Sequence, residues 1–206
     1  MPNRTEQEIF WASEFGDEYI SRNQSPGLEA SNTLAFAHML RRAYGIQSIL
    51  ELGANIGMNM RALRHLLPSV SLSGIEINQK AHAKLSAIPG VTAYQGSIAD
   101  VFTSGQAPYD LVFTKGVLIH IAPDQLANVY RNMITLSREW ILICEYYNPV
   151  PQEIMYRGHT NKLFKRDFCG ELMKMDPSLK LVDYGFFYHG DAIAPQDDLT
   201  WFLLKK

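Results

Sequence analysis

The stretch ELGANIG, residues 51–57, sets two glycines around an asparagine directly after the apolar run ILEL. A buried strand followed by a sharp, side-chain-poor turn needs this composition. Gly53 turns without a Cβ clash, and Asn55 belongs to the few residue types that tolerate left-handed backbone. Gly57 opens the next helix and leaves room for a ligand to approach. The dinucleotide pattern G-x-G-x-x-G does not fit, because Asn55 and Met58 hold its second and third glycine positions. An E-x-G-x-[GN]-x-G pattern does fit, although a turn that binds nothing has the same signature.

Three further segments offer chemistry at strand ends. SLSGIEIN ends a second strand at Glu76 and Ile77, about twenty residues beyond the turn, where a carboxylate accepts hydrogen bonds from two vicinal ribose hydroxyls. The bland alternative is a solvated strand-end acid. YQGSIAD ends a third strand at Gly96, and Ser97 beside Ile98 pairs a hydroxyl with an apolar side chain, which suits the edge and face of an adenine ring. YDLVFTKGVLIHI ends a fourth strand at Thr114, Lys115 and Gly116.

The elements that must position these residues alternate. Helical spacing covers residues 5–22 and 28–43, a strand runs through IQSILEL, and a helix through GMNMRALRHLL stops at Pro68. Strand VSLSGIEI, helix QKAHAKLSAI and strands VTAYQG and YDLVFTKG follow. A helix over 123–136 carries Asp124 at or near its cap. EWILICEYY is a fifth strand, a long polar and aromatic segment spans 146–165, and a helix lies near 166–175. LKLVDYGFFYHG and DDLTWFLLKK read as a terminal antiparallel pair. Strands alternating with helices predict a mostly parallel sheet covered on both faces, with ligands beyond the carboxyl ends of its strands.

Bulk properties narrow the function classes. The 206 residues suffice for one full core, and a net charge of −2 supplies no field to draw nucleic acid. Two cysteines, Cys144 and Cys169, form no disulfide framework, which points to a reducing compartment. A polar, acidic N-terminus and the lack of a long apolar run lead us to expect a soluble cytoplasmic protein. The six histidines show no metal-ligand spacing, so no metal is expected.

Together, ELGANIG, GIEIN, GSIAD and YDLVFTKGVLIHI resemble the class I S-adenosylmethionine-dependent methyltransferases over roughly residues 45–145. The departure is Asn55 in place of the usual middle glycine. The resemblance implies a Rossmann-like α/β fold: a seven-stranded, mostly parallel sheet with an antiparallel last strand, and an N-terminal helical lid. It implies one domain over 1–206, made of a lid (1–44), a cofactor-binding core (45–145), an acceptor-binding insertion (146–175) and a terminal strand pair (176–206). Glu51, Gly53, Ala54, Asn55 and Gly57 would surround the methionine part of S-adenosylmethionine. Glu76 would hold the ribose, with Ile77 next to it also in the cofactor site; Gly96, Ser97 and Ile98 would lie at the adenine, and Thr114, Lys115 and Gly116 on the sulfonium side. Tyr19 and Arg22 are expected to reach the cofactor's carboxylate, with a surface arginine as the alternative. S-adenosylhomocysteine would be the product.

A narrower resemblance lies in WASEFGDEYISRN and EYYNPVPQEIMYRGHTNKLFKRDFCGEL, which look like the pseudaminic acid biosynthesis-associated methylases. It implies a small anionic acceptor such as an acidic sugar, methylated at oxygen or nitrogen. In the second stretch, Tyr146, Tyr147, Arg157, His159, Lys165 and Arg166 suit a carboxylate or phosphate and the apolar face of a sugar ring. An alcohol acceptor profits from a base, and His120 and His159 are the candidates, each equally suited to packing. A small carboxylic or phosphonic acid acceptor, which needs no base, and a non-catalytic nucleoside-binding module both stay open. No nucleic acid or membrane partner is expected.

Overall fold

The computed structural model describes residues 4–22, 25–100 and 108–206. Its N-terminal segment forms α1 (Glu6–Ala12), α2 (Glu14–Arg22) and α3 (Pro26–Met39). Apolar spacing predicts one helix over 5–22, but Ser13 is extended and divides it. On an unbroken helix Phe10 and Phe15 would point roughly 140° apart; the break lets their rings stack at 4.1 Å. Helix α1 starts with a capping box, in which Thr5 and Glu8 satisfy each other's backbone amides. Helix α3 starts two residues before the predicted position, because Pro26 is tolerated in a first turn and Ser25 caps the Leu28 amide.

The core follows in the predicted alternation: β1 (Ser48–Leu52), α4 (Met58–Leu66), β2 (Ser71–Glu76), α5 (Gln79–Ser86), β3 (Val91–Gln95) and β4 (Tyr109–Lys115). A 3₁₀ turn (Leu118–His120) leads to α6 (Leu126–Leu136) and β5 (Ser137–Glu145). Helix α6 starts later than predicted, and Asp124 lies in the turn before it. The long segment predicted as a connection is instead an antiparallel hairpin, β6 (Gln152–Tyr156) and β7 (His159–Lys165). Arg157 and Gly158 at its tip both have positive φ, 50° and 84°, which matches the twist of a two-residue hairpin turn. The chain ends with α7 (Phe168–Met175), β8 (Lys180–Phe186) and β9 (Thr200–Lys205).

The strand order is β3-β2-β1-β4-β5-β9-β8. Strands β1 to β5 pair in parallel, and β9 runs against its neighbours β5 and β8. One core packs Phe36, Met39, Met60 and Trp201 on one face of the sheet. A second packs Leu118, Tyr130, Met133 and Phe168 on the other. The chain crosses from β3 back over β1 to β4, so the order reverses between β1 and β4. Their carboxyl ends therefore part and leave a crevice, the place where open α/β sheets bind ligands.

Candidate functional site

The turn after β1 is built by its neighbours. Gly53, Asn55 and Gly57 have φ of 82°, 47° and 81°. The amides of Gly53 and Ala54 both donate to the Ile75 carbonyl at 2.9 Å, which ties the turn to β2. Glu76, at the end of β2, accepts from the amides of Asn55 and Asn78, each at 2.7 Å. Its carboxylate thus clamps the turn against the start of α5. Burial pushes its pKa above the usual carboxylate range, and those amides pull against the shift.

A cavity of about 570 Å³ opens beside this clamp. Its wall includes Glu51, Gly53, Ala54, Asn55, Glu76, Ile77, Gly96, Ser97, Ile98, Lys115 and Gly116, together with Tyr19, His120, Tyr146 and Arg157. The fold therefore gathers most of the residues singled out in the sequence at one crevice. Ser97 is buried; its hydroxyl accepts from the Ala99 amide and meets the Glu8 carboxylate.

Other expected residues lie elsewhere. Gly57 is not on the wall. A Cβ there would sit 2.4 Å from Ile88 Cδ1 and 2.8 Å from Leu85 Cδ1, so this glycine makes room for helix packing rather than for a ligand. Thr114 is fully buried with its hydroxyl toward Glu145. Tyr147 packs on Phe202, and His159 lies against the rings of Phe10 and Phe15 in the N-terminal helices. Lys165 covers the ring of Tyr146 at 5.0 Å. Arg166 is held by Glu171 at 2.8 Å, so its charge is spent within the fold rather than offered to a ligand. The Arg22 side chain falls outside the described residues.

Glu145, the last residue of β5, has an internal task. Its carboxylate accepts from the amides of Val117 and Leu118 at 2.9–3.1 Å and shapes the turn after β4. Full burial pushes its pKa up to about 7.

His120 is buried, with Nδ1 2.8 Å from the Lys162 carbonyl. A carbonyl only accepts, so the proton is on Nδ1 and Nε2 carries the lone pair. Burial pushes its pKa down to about 4 and keeps the ring neutral. Trp11 and Tyr156 flank it, with ring centroids at 4.5 and 5.0 Å.

Sequence reasoning missed Trp11, Asn32, Asn59 and Gln196, all on the wall. Asn32 had a legible signal: a polar residue on the buried face of the apolar helix α3. Asn59 sits in the first turn of α4 and Gln196 in an irregular loop, neither with a pattern to mark it. Three buried polar atoms of wall residues have no hydrogen-bond partner among the described residues: Trp11 Nε1, Glu51 Oε2 and Asn55 Oδ1. Unpaired buried polar atoms are costly, and their gathering at one cavity marks a place for a polar ligand. Among the described residues, no cluster of three or more His, Cys, Asp or Glu could hold a metal ion, and no helix is long and apolar enough to cross a membrane.

No protein-family model matches the sequence, and no curated protein matches it. Solved structures are similar over nearly the whole chain. The 1,6-didemethyltoxoflavin-N1-methyltransferase of Burkholderia thailandensis, with bound 1,6-didemethyltoxoflavin and S-adenosylhomocysteine, has a TM-score of 0.69 at 14% identity. That match covers 100% of this chain and 92% of that one. Magnesium protoporphyrin IX methyltransferase from Synechocystis PCC 6803, with S-adenosylhomocysteine, has a TM-score of 0.68 at 12% identity and covers 97% of both chains. The plantazolicin methyltransferase, also with S-adenosylhomocysteine, has a TM-score of 0.66 at 16% identity, covering 97% of this chain and 93% of that one. Likeness at such low identity speaks to architecture: the chain has the seven-stranded fold of the class I methyltransferases.

Proposed function

We propose that the protein is an S-adenosylmethionine-dependent methyltransferase acting on a small, anionic acceptor. One observation carries this reading: the Glu76 clamp and the β1 turn meet at the wall of a cavity with unpaired polar atoms, at the switch point of the sheet. The residues present fit the cofactor. Glu76 keeps lone pairs for a ribose diol beyond its two backbone amides. Ile77 and Ile98 offer apolar surface to a purine, with Ser97 at its edge. Glu51, through its unpartnered Oε2, faces the methionine part beside Gly53 and Ala54. The three neighbours named above were solved with S-adenosylhomocysteine, which supports the choice of nucleoside.

When bound, the cofactor supplies a methyl group already activated on a sulfonium. The chain's task is then alignment of an acceptor lone pair and exclusion of water. His120 Nε2 would take the proton of an alcohol acceptor, since Nδ1 is committed to Lys162. Trp11 and Tyr156 would wall the acceptor, and Arg157 would bind its anionic group. An acidic sugar of the pseudaminic acid type belongs to this class, with oxygen favoured over nitrogen as the methylated atom. Helix α1 would act as a lid: Gln7 donates to the Asn161 carbonyl at 3.0 Å, and Glu6 pairs with Lys162 of the hairpin.

The test offers S-adenosylmethionine and a panel of acidic sugars, carboxylic acids and phosphonic acids, and measures S-adenosylhomocysteine release. Product with any panel member supports the proposal and names the acceptor class. Stabilisation by S-adenosylhomocysteine without turnover on the panel favours a nucleoside-binding module. Absence of both sinks the reading.

A further inference from the structure

The polar residues beneath the turn form a relay that runs from the Glu51 carboxyl to the Lys115 ammonium. Asn59 Nδ2 donates to Glu51 Oε1 at 2.5 Å. Asn32 Nδ2 donates to Asn59 Oδ1 at 3.0 Å. Lys115 Nζ donates to Asn32 Oδ1 at 3.2 Å, and Gln196 Nε2 donates to the same oxygen at 3.2 Å. This order fixes both amides, because each presents nitrogen toward Glu51 and oxygen toward Lys115. The relay draws on β1, α3, α4, the end of β4 and the loop before β9.

Each end of the relay has capacity left. Glu51 Oε2 is buried and has no partner among the described residues. Lys115 carries three N–H donors. Among the described residues its hydrogen bond goes to Asn32, and it joins no ion pair. Asn32 Oδ1 has both lone pairs used, by Lys115 and Gln196, so it cannot absorb the remaining Lys115 protons. Both ends line the cavity. A carboxyl group with one free oxygen that an incoming ammonium ionises, joined through the relay to an ammonium with free N–H donors, suits an α-amino acid zwitterion.

We propose that Lys115 is the carboxylate anchor for the methionine tail of the cofactor, positioned by Asn32 and Gln196 opposite Glu51. The inference rests on the cofactor reading above and replaces the expected place of Lys115 on the sulfonium side. An ammonium beside a sulfonium sets two cations together, whereas an ammonium on the tail carboxylate is neutralised by its ligand. The hydrogen-bond partner of Lys115, Asn32, also belongs to the Glu51 relay rather than to the rings around His120. Anchoring by Lys115 leaves no need for Arg22 in this part.

The test is calorimetric titration of the full chain and its Lys115→Gln variant with S-adenosylmethionine, S-adenosylhomocysteine and 5′-methylthioadenosine, which lacks the amino-acid tail. The variant is expected to lose affinity for the first two by a common factor of roughly 10 to 100, with the third within twofold. Lys115→Arg, which keeps the cation, is expected to retain the preference for tailed ligands. Equal weakening of all three ligands overturns the proposal in favour of a packing role. Tighter S-adenosylmethionine with unchanged S-adenosylhomocysteine overturns it in favour of the sulfonium side. A measurement on the unaltered protein covers a variant that does not fold: decarboxylated S-adenosylmethionine should bind weaker than S-adenosylmethionine by the same factor, and equal affinity overturns the anchor. An unaltered protein that binds none of these ligands removes the cofactor reading itself.

Discussion

Replacing Glu76 with glutamine tests the heart of the site. The carboxylate accepts from two backbone amides at 2.7 Å, one on each oxygen. Glutamine keeps one accepting oxygen, so one buried N–H loses its partner at a cost of about 1–3 kcal/mol. The neutral amide escapes part of the burial penalty that raises the Glu76 pKa, which places the net loss toward the lower end. For a chain of this size the melting midpoint should fall by roughly 2–10 °C. Ligand binding suffers separately. Two ribose hydroxyls on a carboxylate make charge-assisted bonds, and their weakening costs about 2–4 kcal/mol, or roughly 30- to 1000-fold in affinity. Calorimetric titration with S-adenosylhomocysteine measures this directly. A 2′,3′-dideoxy ligand serves as control, since it should lose affinity for the unaltered protein yet bind both forms alike. Affinity of the variant for S-adenosylhomocysteine within threefold of the unaltered protein would refute the ribose assignment.

Glu51 is pushed up to about 8 by burial and by the charge of Glu76, against the pull of Asn59 and Lys115. A ligand ammonium should ionise it, so binding of S-adenosylhomocysteine at pH 7 is expected to release a proton. Titrations in phosphate and Tris will then give different apparent enthalpies, and identical values speak against an ammonium at Glu51. Because its folded pKa lies above the unfolded value, Glu51 contributes stability at low pH that is lost as pH rises through about 8, and Glu51→Gln should flatten that decline in a melting series. Gly57→Ala should cost about 1–3 kcal/mol of stability, since the new methyl meets Ile88 and Leu85 at a positive φ. Its S-adenosylhomocysteine affinity should stay within threefold, and a large loss would return Gly57 to the ligand site. Arg157→Ala should raise the acceptor KM about fivefold, given the exposure of that residue, and leave cofactor affinity unchanged; equal loss of both would count against the acceptor role.

Local pattern was enough for the architecture and for many of the residues that line the candidate cavity. The apolar runs of β1, β2, β4 and β5 are long because parallel strands are covered on both faces, and that reads directly from composition. The glycine turn and Glu76 were legible for the same reason: each sits at a strand end, where backbone geometry restricts residue type. Tertiary structure decided what no spacing encodes. The break at Ser13 answers to ring stacking between Phe10 and Phe15. The hairpin of β6 and β7 depends on positive φ at Arg157 and Gly158, only one of them a glycine. Gly57 looks like a ligand position in the sequence, yet its missing side chain serves Leu85 and Ile88. Arg166 looks like an anion binder until Glu171 takes its charge. The relay from Glu51 to Lys115 passes through Asn59 and Asn32, 27 residues apart, and is joined by Gln196 from near the chain's end. A side chain's type sets what it can donate or accept; only the folded chain decides which partner uses that capacity and which atom is left for a ligand.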